Sequence, residues 1–317
     1  MSDVDLSAAL STALGGAPVS NLQRLSGGAS RQTWSFSAGD RPLILQRQRG
    51  GDARDMTVEV DVLRAAHAGR VAVPAVIASW TGADAVDGPL GTSFMILEHV
   101  DGETIARKIL RDDTFAAARP RLTADCAVAL ARLHAIDPST VPALADTDQV
   151  ELYRAALDTF DRPHPAFELA FRWLQQNRPT PTRRSVVHGD FRLGNLMVGP
   201  DGLRAVLDWE LAHVGDPLED LGWLCVKAWR FGSGQPVAGV GSYDQLFDAY
   251  ERESGTAVDA DAVRWWEVLG TLKWGIMCIV QTQSHLSGAA RSHELAAIGR
   301  RVCENEYDLF LALEGRW

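Results

Sequence analysis

The sequence predicts an α+β protein in two lobes: a small β-rich lobe over residues 1–100 and a larger, mainly helical lobe over residues 101–317. Three observations carry this. Between residues 19 and 99, short apolar runs with a period of two alternate with Gly-containing turns. Beyond Val100-Asp101-Gly102 the apolar spacing turns helical and stays so to the C-terminus. The helical part is interrupted once, between residues 186 and 210, by two short β-branched runs.

In chain order, residues 19–25 form a first strand and residues 26–30, Ser-Gly-Gly-Ala-Ser, a small loop. Residues 33–37 alternate like a half-buried strand, Ala38-Gly39-Asp40 turns, and residues 43–47 form a third strand. A helix over 54–68 stops at Gly69. Strands over 72–79 and 93–99 follow, separated by a polar stretch. Helices are predicted over 122–136, 150–158, 164–176, 218–230, 243–254, 259–281 and 292–313. Leu196-Met197-Val198 pairs with the run beginning at Leu203 across Gly199-Pro200-Asp201-Gly202 as a hairpin.

Hydrophobic content of 46% and charged content of 23% describe an ordinary globular protein. The net charge of -10 argues against nucleic acid and anionic membrane surfaces as partners. The first 20 residues are acidic and broken by Gly15-Gly16, so they read as neither a signal peptide nor a membrane span. Cys126, Cys225, Cys278 and Cys303 have no metal spacing and are expected as buried, reduced thiols of a cytoplasmic protein.

The chemistry concentrates in VVHGDFRLGNLMVGPDGLRAVLDWE, residues 186–210. Asp190 is followed after five residues by Asn195 and after thirteen more by Asp208. Phosphoryl transfer asks a protein for positioning and charge neutralisation more than for covalent work. A carboxylate such as Asp190 can take a proton from an acceptor hydroxyl. Asn195 and Asp208 offer the oxygen ligands that magnesium prefers. Glu210, two residues on, is either a further metal or water ligand or a structural ion-pair partner.

HGDFRLGN and LDWELAHVGDPLEDLGW resemble the aminoglycoside phosphotransferase and choline kinase-like family, which has the two-lobed protein kinase fold. The wording RLGNLMV and VKAWRFG is similar to the kinase-like domains associated with acyl-CoA dehydrogenases. The resemblance runs from about Leu25 to the C-terminal helix. It implies Asp190 as catalytic base, Asn195 and Asp208 as magnesium ligands, His188 as a support beneath the loop, and Asp220 as an anchor for the loop amides. Gly27, Gly28 and Ser30 fall where a kinase covers the nucleotide phosphates, and their amides can approach phosphate closely. Glu59 falls at the helix glutamate. Residues 94–100 fall at the hinge, where the backbone of Glu98 and Val100 would meet adenine. The implied cofactors are ATP (with GTP as the alternative) and Mg2+, and the implied partner is a hydroxylated small molecule.

The main departure from the family pattern lies on the third strand. The third strand reads LILQRQRGG, with Gln46 where the phosphate-contacting cation is expected. Arg47 is adjacent, but neighbouring strand residues point to opposite faces. Either a bulge turns Arg47 round, or Arg49 substitutes, or the cradle works with a neutral Gln46. This departure motivates a second reading, a nucleotide-binding scaffold without transfer. On the acceptor side, Arg192, Lys227, Arg230 and Lys273 would form a basic pocket if they converge, favouring a hydroxy acid or hydroxyacyl-coenzyme A; an aminoglycoside would need an acidic lining instead. Trp223, Trp229, Trp265, Trp266 and Trp274 read as core packing.

Overall fold

The computed structural model describes residues 3–25, 31–48, 56–181 and 183–316. It opens with a helix, α1 (Asp3–Ala13), where only an acidic segment was expected. Leu6 and Leu10, one turn apart, are buried by it. The strands β1 (Val19–Arg24), β2 (Arg31–Ala38) and β3 (Arg41–Gln48) lead to helix α2 (Thr57–Ala68), then to β4 (Val76–Trp80) and β5 (Phe94–Glu98). They make one antiparallel sheet in the order β1-β2-β3-β5-β4.

Register assigns the two faces of this sheet. Trp34, Leu45 and Ile96 are mutual partners across β2, β3 and β5, and they pack with Leu6 and Leu10 of α1. Thr33, Gln46 and Met95 are partners one residue over, so they face the other way. Met95 and Leu97 on that second face join Val60 and Leu63 of α2. The same buried cluster continues into Phe191, Leu196 and Trp209. The second face of the sheet is therefore the side that meets the rest of the molecule.

The helical part contains α3 (Ala106–Arg111), α4 (Arg119–His134), α5 (Gln149–Asp158) and α6 (Pro165–Gln176). Four short strands follow: β6 (Ser185–Val187), β7 (Leu196–Gly199), β8 (Gly202–Val206) and β9 (His213–Gly215). The expected β7–β8 hairpin is present, and β9 pairs antiparallel with β6 as a second ribbon. The chain closes with α7 (Leu218–Cys225), α8 (Tyr243–Ser254), α9 (Ala260–Leu286), α10 (His293–Ile298) and α11 (Val302–Leu313). Among the described residues no helix is long and apolar enough to cross a membrane.

The helix expected over 218–230 stops at Cys225, and a 3-10 turn, Lys227–Arg230, follows. The Arg230 guanidinium folds back and donates to the Cys225 carbonyl from Nε (3.1 Å) and Nη2 (2.9 Å), satisfying the end of α7. The helix expected over 292–313 is likewise split into α10 and α11 by a 3-10 turn, Gly299–Arg301. Three of the four cysteines are buried as expected; Cys303 is exposed.

Candidate active site

The loop between β6 and β7 carries most of the candidate residues, and Asp220, in the first turn of α7, suspends it. Asp220 Oδ2 accepts the His188 N–H at 2.7 Å and Oδ1 accepts the Gly189 N–H at 2.9 Å. His134 of α4 reaches the same carboxylate at 3.2 Å. Burial pushes the Asp220 carboxyl up, but the hydrogen bond and charge of His134 and the neighbouring His188 outweigh it and hold the group below its ordinary range. Gly189 has φ +75°, and a Cβ there would lie 2.5 Å from the Leu211 carbonyl oxygen, so the tight turn beside Asp190 requires glycine.

His188 is fully buried. It accepts the Asp190 N–H on Nδ1 at 3.1 Å and donates from Nε2 to the Leu207 carbonyl at 3.0 Å. Burial holds its pKa below the usual histidine value, which suits this neutral, donor-plus-acceptor arrangement. The ring thus ties the residue before Asp208 to the loop that carries Asp190. Asn195 makes a second tie: its main-chain carbonyl accepts the Leu207 N–H at 2.8 Å.

Asp190, Asn195 and Asp208 come together at the end of these ties. Asn195 Nδ2 donates to Asp190 Oδ2 at 2.7 Å and to the Asp190 carbonyl at 3.0 Å, so these bonds do not engage the amide oxygen of Asn195. Asp190 Oδ1 accepts from Trp223 Nε1 at 2.9 Å and from Arg192 Nε at 3.1 Å. Asp208 follows at φ +64° and is exposed at its tip to the cleft. Desolvation and then the carboxylates of Glu210, Asp190 and Glu59 push its pKa up to about 6, with Arg31 pulling the other way. Such converging acceptors fit a hard divalent cation, which takes oxygen ligands and offsets their mutual repulsion. Among the described residues no three His, Cys, Asp or Glu side chains stand ready as a metal cage. The donor set on offer is Asn195 and Asp208, with Glu210 nearby, and it suits magnesium, which keeps water and phosphate among its ligands.

On the sheet side, Glu59 of α2 is buried, and Arg31 of β2 pairs with it through both guanidinium ends. Arg31 also stands 4.0 Å from Glu210. Gln46 shares this cleft-facing side of the sheet. Arg47 does not: it donates to Gln32 Oε1 at 2.7 Å and lies over the Trp34 ring at 4.8 Å, on the face covered by α1. No bulge interrupts the β2–β3 pairing from Arg31 to Ala38, so the register keeps Arg47 out of the cleft. Gly27, Gly28, Ser30 and Arg49 lie outside the described residues. The Glu98 N–H and carboxylate both bond to Ala75, and Val100 lies two residues beyond the end of β5.

The cations proposed for the acceptor side do not form one open basic pocket. Arg192 lies over the Trp229 ring at 4.8 Å, beside Asp190. Lys227 is paired with Asp308 of α11 at 2.6 Å. Arg230 is buried against Glu267 of α9 at 2.7 Å and serves as the cap of α7. Lys273 is buried, donates to the Gly189 carbonyl at 2.7 Å and sits over the Trp223 ring at 4.6 Å. It braces the loop that carries Asp190 from behind. Trp223, Trp229 and Trp274 form a buried aromatic cluster behind Asp190; Trp223 therefore packs and also orients the carboxylate. Sequence spacing missed Arg31, His134 and the Trp223–Asp190 bond. For Arg31 a signal existed, since it lies two residues from Thr33 and shares its face.

Residues 21–266 match the phosphotransferase enzyme family. Mouse acyl-CoA dehydrogenase family member 10 is 27% identical over 228 residues, 66% of this chain and 20% of that protein. The chain thus spans about a fifth of that relative's length. Among solved structures, an aminoglycoside phosphotransferase-like protein from Ralstonia eutropha superimposes with a TM-score of 0.75 at 22% identity, covering 99% of this chain and 98% of the other. The aminoglycoside phosphotransferase APH(4)-Ia, solved as a ternary complex with AMP-PNP and hygromycin B, gives 0.65 at 18% identity with 98% of both chains covered. The fold is the two-lobed kinase-like fold of these neighbours.

Proposed function

The chain belongs to the phosphotransferase enzyme family, and from that premise we propose that it transfers the γ-phosphoryl group of ATP to the hydroxyl of a small molecule. The observation that carries this is the convergence of Asp190, Asn195 and Asp208. Asn195 and His188 bind the base-bearing loop to the strand end that leads into Asp208.

Asn195 and Asp208 would hold magnesium, which when bound screens the phosphate oxygens and aligns them for transfer. The acceptor oxygen forms its bond to the γ-phosphorus as the bond to the β-phosphate oxygen breaks. Asp190 takes the hydroxyl proton, and ADP leaves with the bonding pair. Trp223 and Asn195 hold separate oxygens of Asp190, so the base is oriented before the acceptor arrives. The acceptor class we favour carries an anionic group, as a hydroxy acid or hydroxyacyl-coenzyme A does. Arg192 beside the base supports it, as does the likeness to an acyl-CoA dehydrogenase family member. Lys227 and Arg230 are held by Asp308 and Glu267 and Lys273 by the Gly189 carbonyl, whereas Arg192 bonds to Asp190 itself, so Arg192 carries that preference.

ATP consumption screened against hydroxy acids, hydroxyacyl-coenzyme A thioesters, aminoglycosides and amino alcohols tests the reading. Turnover with one class should fall by about a thousandfold in Asp190→Asn and vanish in Asp208→Ala. Tight ATP binding without transfer to any acceptor would instead identify the nucleotide-binding scaffold that Gln46 suggests. Turnover with aminoglycosides alone would overturn the choice of an anionic acceptor.

A further inference from the structure

We infer that Arg31, on β2, supplies the phosphate-contacting cation that the cleft face of β3 lacks among the described residues. This rests on the nucleotide-binding reading and names the residue that does the work. The site has a buried glutamate on α2, Glu59, which needs a cationic partner. The third strand offers Gln46 on the cleft face and turns Arg47 to the α1 face. Arg31 enters from the neighbouring strand and from the correct side. It is the register partner of Gln48, two residues along from Gln46, so it shares that cleft-facing surface.

Its surroundings tie it to the reacting end of the cleft. One guanidinium bridges to Glu59, stands 4.0 Å from Glu210, and lies close enough to Asp208 for their charges to interact. A fork of five N–H donors can keep Glu59 on one edge and present the other to phosphate, which a point-like ammonium does less well. A cation on β2 in place of one on β3 moves the origin of the side chain by one strand while the charge reaches the same cleft. Gln46 then becomes tolerable, because a neutral amide beside Arg31 avoids a second, repelling cation.

The experiment is equilibrium titration of the full chain with MgATP, MgADP and AMP. Arg31→Ala should weaken MgATP binding by about 10- to 100-fold, the loss of charge-assisted hydrogen bonds, and leave AMP affinity within about twofold. Arg31→Lys should recover part of the loss. The double variant Arg31→Ala/Gln46→Lys should recover more, since it returns a cation to the same face. Arg31→Ala/Glu59→Gln also removes the buried charge that Arg31 neutralises and provides a folded protein if Arg31→Ala alone does not fold; it should show the same selective loss of MgATP. Unchanged MgATP affinity in the Arg31 variants, or the loss appearing in Arg47→Ala instead, overturns the inference and leaves the nucleotide-binding reading standing. Failure of the wild-type chain to bind any of the three nucleotides overturns both.

Discussion

Asp220 never meets a reactant in the proposed chemistry, yet it decides whether the catalytic loop has a shape. Two backbone N–H groups and the His134 ring converge on one fully buried carboxylate. A carboxyl held below its ordinary pKa of 3.8 adds stability in full above that value and loses it as pH falls through the lowered folded value. Asp220→Asn should therefore cost on the order of 2–3 kcal/mol at neutral pH. The gap to wild type should close as pH drops from about 5 to below the ordinary carboxylate value. Urea unfolding at a series of pH values checks this, and a gap independent of pH would show that the charge of Asp220 is not what holds the loop. At this scale the sequence was readable where the partners are local. Asp190, Asn195 and Asp208 sit on one loop and one hairpin, so spacing predicts their meeting. His134 lies 86 residues from Asp220, and Arg31 lies 28 from Glu59, so only the packed fold joins them.

The elements that position these residues meet at close crossings, of which α7 against α9 matters most. A Cβ on Gly222 would lie 2.6 Å from the Trp266 Cβ and 2.8 Å from the Glu267 N, so the helices touch backbone to backbone there. Asp220 and Trp223 flank that glycine on the same helix. Gly222→Ala should then destabilise the protein by about 3 kcal/mol, the upper range for overpacking. This is more than the roughly 1 kcal/mol that alanine ordinarily gains over glycine in a helix interior. A thermal or urea midpoint equal to or above wild type would show that the crossing can open without cost. Element types followed from periodicity, and their ends did not. The break after Cys225 comes from Arg230 capping a helix it was expected to extend, and that depends on a side-chain bond. Strand β9 is three residues long, too short for any pattern, and exists because β6 pairs with it. Helix α1 is not legible from periodicity because Leu6 and Leu10 are its only large buried side chains among the described ones, and its packing surface is a sheet that comes later in the chain.

For the whole molecule, the buried cluster running from α2 and β5 into Phe191 and Trp209 joins the sheet to the catalytic loop without a gap. A ligand bound in the cleft therefore stabilises a surface shared by both parts, and should raise a single melting transition. The sign of the charge decides which ligand does so. Glu210, Asp190 and Glu59 all act on Asp208 in the cleft, against the guanidinium of Arg31, within a chain of net charge -10. Free ATP brings several more negative charges into that cluster, whereas ATP carrying magnesium brings a cation to Asn195 and Asp208 as well. At a concentration 100-fold above its dissociation constant, a ligand specific to the folded state adds about 2.7 kcal/mol. For a chain of 317 residues that corresponds to about 4 °C in Tm. MgATP should produce this rise, and the same ATP with magnesium chelated should produce clearly less. The difference should shrink in Asp208→Asn, where one source of the repulsion and one metal ligand are removed together. Equal shifts with and without magnesium would mean that the acidic cluster does not face the phosphates, and the positions assigned to Asn195 and Asp208 would have to be abandoned.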